Sequence, residues 1–87
     1  MSTAERIREK LQALAPLRLE IEDESARHAG HAGAQSGGGH YQLLIVASGF
    51  AGKNKVARHR MIYSALGDMM QKDIHALSIQ ALSPDEI

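Results

Sequence analysis

The chain contains no cysteine, so it can form no disulfide, and any metal site built from its own side chains must use histidine, aspartate or glutamate. Aromatic residues make up only 3% of the 87 residues while hydrophobic residues reach 44%, which predicts an aliphatic core in one small domain spanning residues 1–87. No run approaches the roughly 18 consecutive apolar residues that a membrane span needs, so no membrane partner is expected. The N-terminal segment is charged from Glu5, and a cytoplasmic protein is therefore the default prediction.

The chain also lacks an excess of charge of either sign. The formal net charge is zero, with ten basic and ten acidic residues, which gives the chain no overall attraction to nucleic acid or to acidic lipid. Any such binding would have to depend on a local patch.

Hydrophobic periodicity predicts a helix and a strand in the first part of the chain. Ser2 and Glu5 form a capping-box pattern that opens a short amphipathic helix, which ends before Pro16. Residues 17–23 then alternate strictly, with Leu17, Leu19 and Ile21 on one face, as in a strand with one solvated side. A glycine-rich loop follows, roughly over residues 24–39.

The second part of the chain predicts a strand, a helix and a strand. Residues 41–48 are apolar on both faces, which favours a central strand, and residues 76–82 alternate again. Between them, residues 54–72 place their apolar side chains within one broad arc at helical spacing, which predicts the main packing helix. The residues of that arc are Val56, Ile62, Tyr63, Leu66, Met69 and Met70. His59 lies within the same arc and is predicted to be buried.

The predicted order is therefore α-β-β-α-β, an α/β (α+β) fold with a three-stranded mixed sheet packed by helices. The first two strands are expected to pair antiparallel, and the strand-helix-strand unit makes the last two parallel. Both of these parallel strands then begin at the sheet edge where the loop departs. This topology brings His75, which precedes the last strand, to the edge that holds His28, His31 and His40.

Histidines that converge in this way suggest a metal site. A single histidine at a strand start is usually structural, but imidazole is the commonest neutral metal ligand, and a glycine-hinged loop can present its histidines to a fixed one. A simple divalent-metal site of the loop histidines, with zinc as the expected occupant, is one interpretation.

A basic cluster marks the start of the main helix. Positive charge at a helix N-terminus interacts unfavourably with the helix dipole, which suggests that these basic residues have another role. Nucleic-acid phosphates, an acidic partner surface and simple solvation are the alternatives. The cluster consists of Lys53, Lys55, Arg58 and Arg60.

Taken together, three segments resemble the BolA-like family over essentially the whole chain. They are "GKNKVARHRMIYSAL", "IHALSIQALSP" and the upstream "HAGHAG". The resemblance implies a domain similar to the type II KH fold. It also implies a non-enzymatic role in iron-sulfur metabolism, in a heterodimer with a monothiol glutaredoxin that holds a [2Fe-2S] cluster.

The resemblance further implies which residues bind that cluster. The family supplies a histidine just before the last strand, which is His75 here, and a histidine or cysteine from the loop. The loop ligand falls on His28 by its place after the acidic-serine segment, with His31 as the alternative. The glutaredoxin cysteine and a glutathione thiolate would complete the set, so the isolated chain need hold no cofactor.

The sequence is also compatible with a second function and with self-association. Some family members are described as transcriptional regulators, so a nucleic-acid-binding regulator that uses the basic cluster is the alternative function. A homodimer of the free chain is also left open. No nucleophile with an ordered base, carboxylate pair or phosphate loop supports catalysis, so the chain is predicted not to be an enzyme.

Overall fold

A computed structural model describes residues 2–24 and 39–87 of the chain. The helices and strands follow in the order α1, β1, β2, α2, α3, β3. Their bounds are Thr3–Leu11 (α1), Arg18–Asp23 (β1), Gly39–Val46 (β2), Lys55–Leu66 (α2), Met69–Lys72 (α3) and Ile74–Leu82 (β3). Short 3₁₀ turns lie at Gln12–Leu14, Ser48–Phe50 and Pro84–Glu86.

The sheet has the predicted topology. Strand β2 is central, and it pairs antiparallel with β1 and parallel with β3. The predicted fold class, a mixed α and β domain with a three-stranded mixed sheet, is confirmed.

Helices α1, α2 and α3 pack on one face of this sheet. Alternate residues of β2 point towards them, because successive side chains of a strand face opposite sides. The buried core joins those residues to the apolar faces of the helices and to the start of β3. Its members include Ile7, Leu11, Tyr41, Leu43, Ile45, Phe50, Ile62, Leu66, Met69 and Ile74. The opposite sheet face carries exposed polar side chains such as Glu20, Gln42 and Ser78.

The capping box at the N-terminus forms as predicted. The Ser2 hydroxyl oxygen accepts a hydrogen bond from the Glu5 N–H at 3.1 Å, and the Glu5 carboxylate accepts one from the Ser2 N–H at 3.0 Å. These two bonds satisfy donors that the first turn of a helix leaves without partners, so the local sequence alone is enough to start α1.

The single long helix predicted for residues 54–72 is wrong. Gly67 has a φ of +60°, a conformation that glycine adopts without the steric penalty that other residues incur, and it ends α2 before the separate turn α3. The arc of apolar residues therefore does not continue through one helix. Val56 is 58% exposed and Tyr63 is 41% exposed, although both were placed on the packing arc.

Two smaller expectations also change. Leu17 was placed on the apolar face of the first strand but is 67% exposed, because it lies just before β1 at the outer end of an edge strand. His59 is half-buried rather than buried, with its ring centroid 6.3 Å from that of Tyr63.

Candidate functional site

One edge of the sheet collects the end of β1 and the starts of β2 and β3. The Glu24 N–H donates a hydrogen bond to the His40 carbonyl at 2.7 Å, and the Gly39 N–H donates one to the Asp73 carbonyl at 3.1 Å. Residues 24 and 39 flank the glycine-rich segment 25–38 in the sequence, so the described residues on either side of that segment lie at this edge. The topology predicted from the sequence thus brings His75 to the edge from which the loop departs.

His40 and His75 lie side by side there. Their ring centroids are 5.2 Å apart and their ring planes are inclined by 43°. His75 is exposed and His40 is half-buried. Each is the second residue of its strand, whereas the sequence pattern placed each just before its strand.

A β-bulge places the His75 side chain at this edge. The register of β2 and β3 shifts between Gly39, which pairs with Ile74, and His40, which pairs with Ala76, so His75 is an extra residue on β3. Regular alternation back from Leu77 would turn His75 towards the core. Instead Ile74 fills the core position at 3% exposure, and His75 remains at the surface. Bulges in parallel pairs are rare, and bulges often re-aim a side chain beside a functional site.

The predicted loop ligands lie outside the described residues. His28 and His31 both fall between residues 24 and 39, so the structure describes only His75 of the predicted cluster ligands. Within residues 2–24 and 39–87, no group of three or more histidine, cysteine, aspartate or glutamate side chains is arranged to hold a metal ion.

The basic cluster does not behave as one unit. Lys53, Lys55 and Arg60 are exposed. Arg58 is only 9% exposed, and its guanidinium contacts the C-terminal turn instead of facing solvent. Of the four basic residues predicted to meet nucleic acid or a partner, three are thus at the surface and one is engaged inside the fold.

Arg58 is held by several partners. Its Nη1 donates to the Ala81 carbonyl at 3.0 Å, and its two Nη atoms donate to the Glu86 carboxylate at 2.5 and 3.1 Å. The guanidinium carbon lies 6.0 Å from the centroid of the Phe50 ring. Its Nε is buried and has no hydrogen-bond partner among the residues that the structure describes.

These contacts shift the titration of both partners. The hydrogen bonds from Arg58, assisted by the Ser83 backbone N–H, lower the pKa of Glu86 to about 2. The bonds to Glu86 raise the pKa of Arg58 above its ordinary value.

The sequence analysis did not predict the Arg58–Glu86 pair. Ser83 and Glu86 do have the spacing of a capping box, and that box forms here. The pattern would have predicted the turn but not its partner 28 residues earlier.

None of the helices in the described parts of the chain is long and apolar enough to cross a membrane. The cytoplasmic location stays a prediction.

Comparison with known proteins identifies relatives of this chain. The sequence model of the family described as BolA-like protein matches residues 11–86. The chain is 48% identical over 88 residues to the "SufE-like protein 1, chloroplastic/mitochondrial" of Arabidopsis thaliana, an alignment that covers 94% of this chain but only 24% of that protein. The chain therefore spans about a quarter of the length of that plant relative.

A bacterial relative and a solved structure agree over nearly the whole chain. The "DNA-binding transcriptional regulator BolA" of Escherichia coli is 40% identical, and the alignment covers 99% of this chain and 80% of that protein. The solved structure of BolA1 from Arabidopsis thaliana superposes with a TM-score of 0.85 at 44% identity, covering 100% of this chain and 97% of the other.

Proposed function

This chain belongs to the BolA-like family, and from that premise we propose that it is a non-enzymatic adaptor that pairs with a monothiol glutaredoxin and shares a [2Fe-2S] cluster with it. His75 and one histidine of the loop would be the ligands from this chain. The glutaredoxin cysteine and glutathione would supply the thiolates, since this chain has no cysteine.

The position of His75 is the observation that supports this proposal. An imidazole can serve two proteins only if it is at the surface and near whatever completes the site. The bulge keeps His75 exposed, and the parallel pairing of β2 and β3 keeps it at the edge where the loop departs. The residue is also held by a strand rather than a loop, which fixes one ligand of the site in advance and lowers the entropy cost of binding.

Imidazole ligands suit transfer or sensing. Replacing thiolates by neutral imidazoles at one iron makes a cluster less negative and raises its potential, as in Rieske centres. Imidazole can also be protonated near neutral pH, so a histidine ligand can be released where a thiolate ligand would remain. His75 fits this role in donor type and in exposure.

Reconstitution tests the proposal. The chain is mixed with a monothiol glutaredoxin, glutathione, iron and sulfide, and the product is analysed by size-exclusion chromatography and visible absorption. We expect a heterodimer whose spectrum differs from that of the glutaredoxin homodimer, and we expect His75→Ala to remove the difference. His59→Ala, a change on α2, is the matched control and should behave as the wild-type chain. A His75→Ala spectrum identical to that of the wild-type heterodimer would refute the role of His75.

A nucleic-acid-binding regulator is the second candidate. Lys53, Lys55 and Arg60 are exposed, and the first turn of α2 carries no acidic residue to offset the two lysines. The relative in Escherichia coli also carries the name of a DNA-binding regulator.

A comparison of charge variants separates the two functions. Replacing Lys53, Lys55 and Arg60 by alanine should abolish a salt-sensitive affinity for duplex DNA if phosphate contacts carry the function. Arg58 is left in place in this experiment, because its guanidinium supports the fold. If the triple variant loses DNA affinity while His75→Ala leaves the cluster spectrum unchanged, the regulator is the better description.

A further inference from the structure

His40 has no assigned role in the proposed function, yet its ring lies next to that of His75. The two centroids are 5.2 Å apart. We propose that His40 and His75 together bind one zinc ion in the isolated chain, with water at the remaining coordination positions.

The distance between the rings fits a shared tetrahedral ion. An imidazole nitrogen bonds zinc at about 2.0–2.1 Å, and the ring centroid lies about 1.1 Å behind that nitrogen, so two rings on one tetrahedral ion have centroids roughly 5 Å apart. The observed separation matches this value. The ring planes are inclined by 43°, and the site requires one nitrogen of each ring to be directed at the ion.

The backbone holds both residues at this spacing. His40 lies on the central strand, where its carbonyl accepts the Glu24 N–H, and His75 is the bulged residue on the adjacent strand. Without the bulge, His75 would face the core while His40 faced outward. The irregular register is therefore what brings the two rings to the same side.

Acidic residues lie at the end of β1 beside this edge. Glu22 and Asp23 are the last residues of the strand, and Glu24, the next residue, donates its backbone N–H to the His40 carbonyl. The exposed position of His75 lets water complete the coordination sphere. Imidazole with oxygen ligands suits zinc and its neighbours in the first transition row.

One consequence links the site to the cluster. Because His75 is also the proposed cluster ligand, a zinc ion bound to His40 and His75 excludes His75 from a shared cluster. This competition rests on the proposed function, whereas the zinc site itself does not.

Titration calorimetry of the full chain with zinc, in a non-chelating buffer and without glutaredoxin, tests the site. We expect one zinc ion per chain, at least tenfold weaker binding in His40→Ala and in His75→Ala, and no binding in the double variant. His59→Ala should bind as the wild-type chain. His40→Gln keeps a polar side chain on β2 and provides a second variant if His40→Ala does not fold, which far-UV circular dichroism would show.

A further variant separates this site from the loop. The double change His28→Ala and His31→Ala should retain zinc affinity within about threefold of the wild-type value. The proposal is overturned if the wild-type chain binds no zinc, if His40→Ala binds as tightly as the wild-type chain, or if removing the two loop histidines abolishes binding. None of these results bears on the reconstitution with glutaredoxin, so failure of the zinc site and failure of the proposed function are distinguishable.

Discussion

Arg58 on α2 and Glu86 in the C-terminal turn are joined by two hydrogen bonds between the guanidinium and the carboxylate. The same Glu86 carboxylate accepts the Ser83 backbone N–H at 2.7 Å, and Arg58 also donates to the Ala81 carbonyl. A buried arginine thus fastens the last turn of the chain to the main helix and to the end of β3. Bidentate pairs of this kind are among the stronger hydrogen bonds in proteins because both groups are charged.

The Arg58–Glu86 pair should make stability depend on pH in the acidic range. The pKa of Glu86 is lowered in the folded chain from 4.5 to about 2, so the unfolded chain binds the proton more tightly. The stabilisation is present above about pH 4.5 and is lost as the pH falls towards 2. We expect the free energy of unfolding, measured by urea denaturation across this range, to fall with a shallower slope in Glu86→Gln than in the wild-type chain.

A matched carboxylate provides the control for that measurement. Glu9→Gln removes one exposed carboxylate from α1 and should follow the wild-type pH profile. If Glu86→Gln also follows that profile, the ion pair does not contribute to stability in solution.

Two residues of α2 distinguish the observed packing from the arc predicted by periodicity. Ile62 is fully buried and Val56 is 58% exposed, although the sequence placed both on one face. Ile62→Ala should lower the free energy of unfolding by about 2–5 kcal/mol, because it removes buried methylene and methyl groups and leaves a cavity. Val56→Ala should change it by no more than about 0.5 kcal/mol. Chemical denaturation of the two variants checks this, and equal losses would mean that the helix is rotated from the position described here.

The fold followed from the sequence wherever local patterns decide the structure. The spacing of Ser2 and Glu5 predicts the capping box, and the apolar run of β2 predicts its central position. Both patterns are visible in the sequence itself. The break at Gly67 could not be inferred in this way, because a glycine within a helical pattern is also compatible with a continuous helix.

Part of the candidate site could also be predicted from the sequence, namely the part that depends on the order of helices and strands. Parallel pairing places His75 and His40 at one edge, and that follows from the order of elements. The bulge that turns His75 outward depends on whether Ile74 or His75 fits the core better, which is a matter of tertiary packing. The burial of Arg58 depends on Glu86, 28 residues away, and periodicity within α2 carries no information about that contact.

The loop histidines give a prediction that bears on the proposed ligand set. His28 is nearer in sequence to the end of β1 than His31 is, so fewer residues have to be fixed to hold it at the cluster, at about 1–2 kcal/mol of backbone entropy for each residue that is fixed. His28→Ala should therefore weaken the shared cluster without abolishing it, because His31 can replace it. The double variant with His31→Ala should leave the spectrum of the glutaredoxin cluster unmodified in the reconstitution assay. If His31→Ala alone is as damaging as His75→Ala while His28→Ala is silent, the assignment to His28 is wrong.

The most direct measurement is pulsed electron paramagnetic resonance of the reduced cluster in the reconstituted heterodimer, with ¹⁵N-histidine incorporated only into this chain. Histidine nitrogens bound to iron would couple to the electron spin, so we predict ¹⁵N hyperfine couplings from two histidine ligands in the wild-type complex. His75→Ala should remove the coupling from His75 and leave at most the coupling from the loop histidine. His59→Ala should retain both couplings. A wild-type complex with no ¹⁵N coupling, or a coupling that His75→Ala leaves unchanged, would contradict the proposal that His75 binds the cluster.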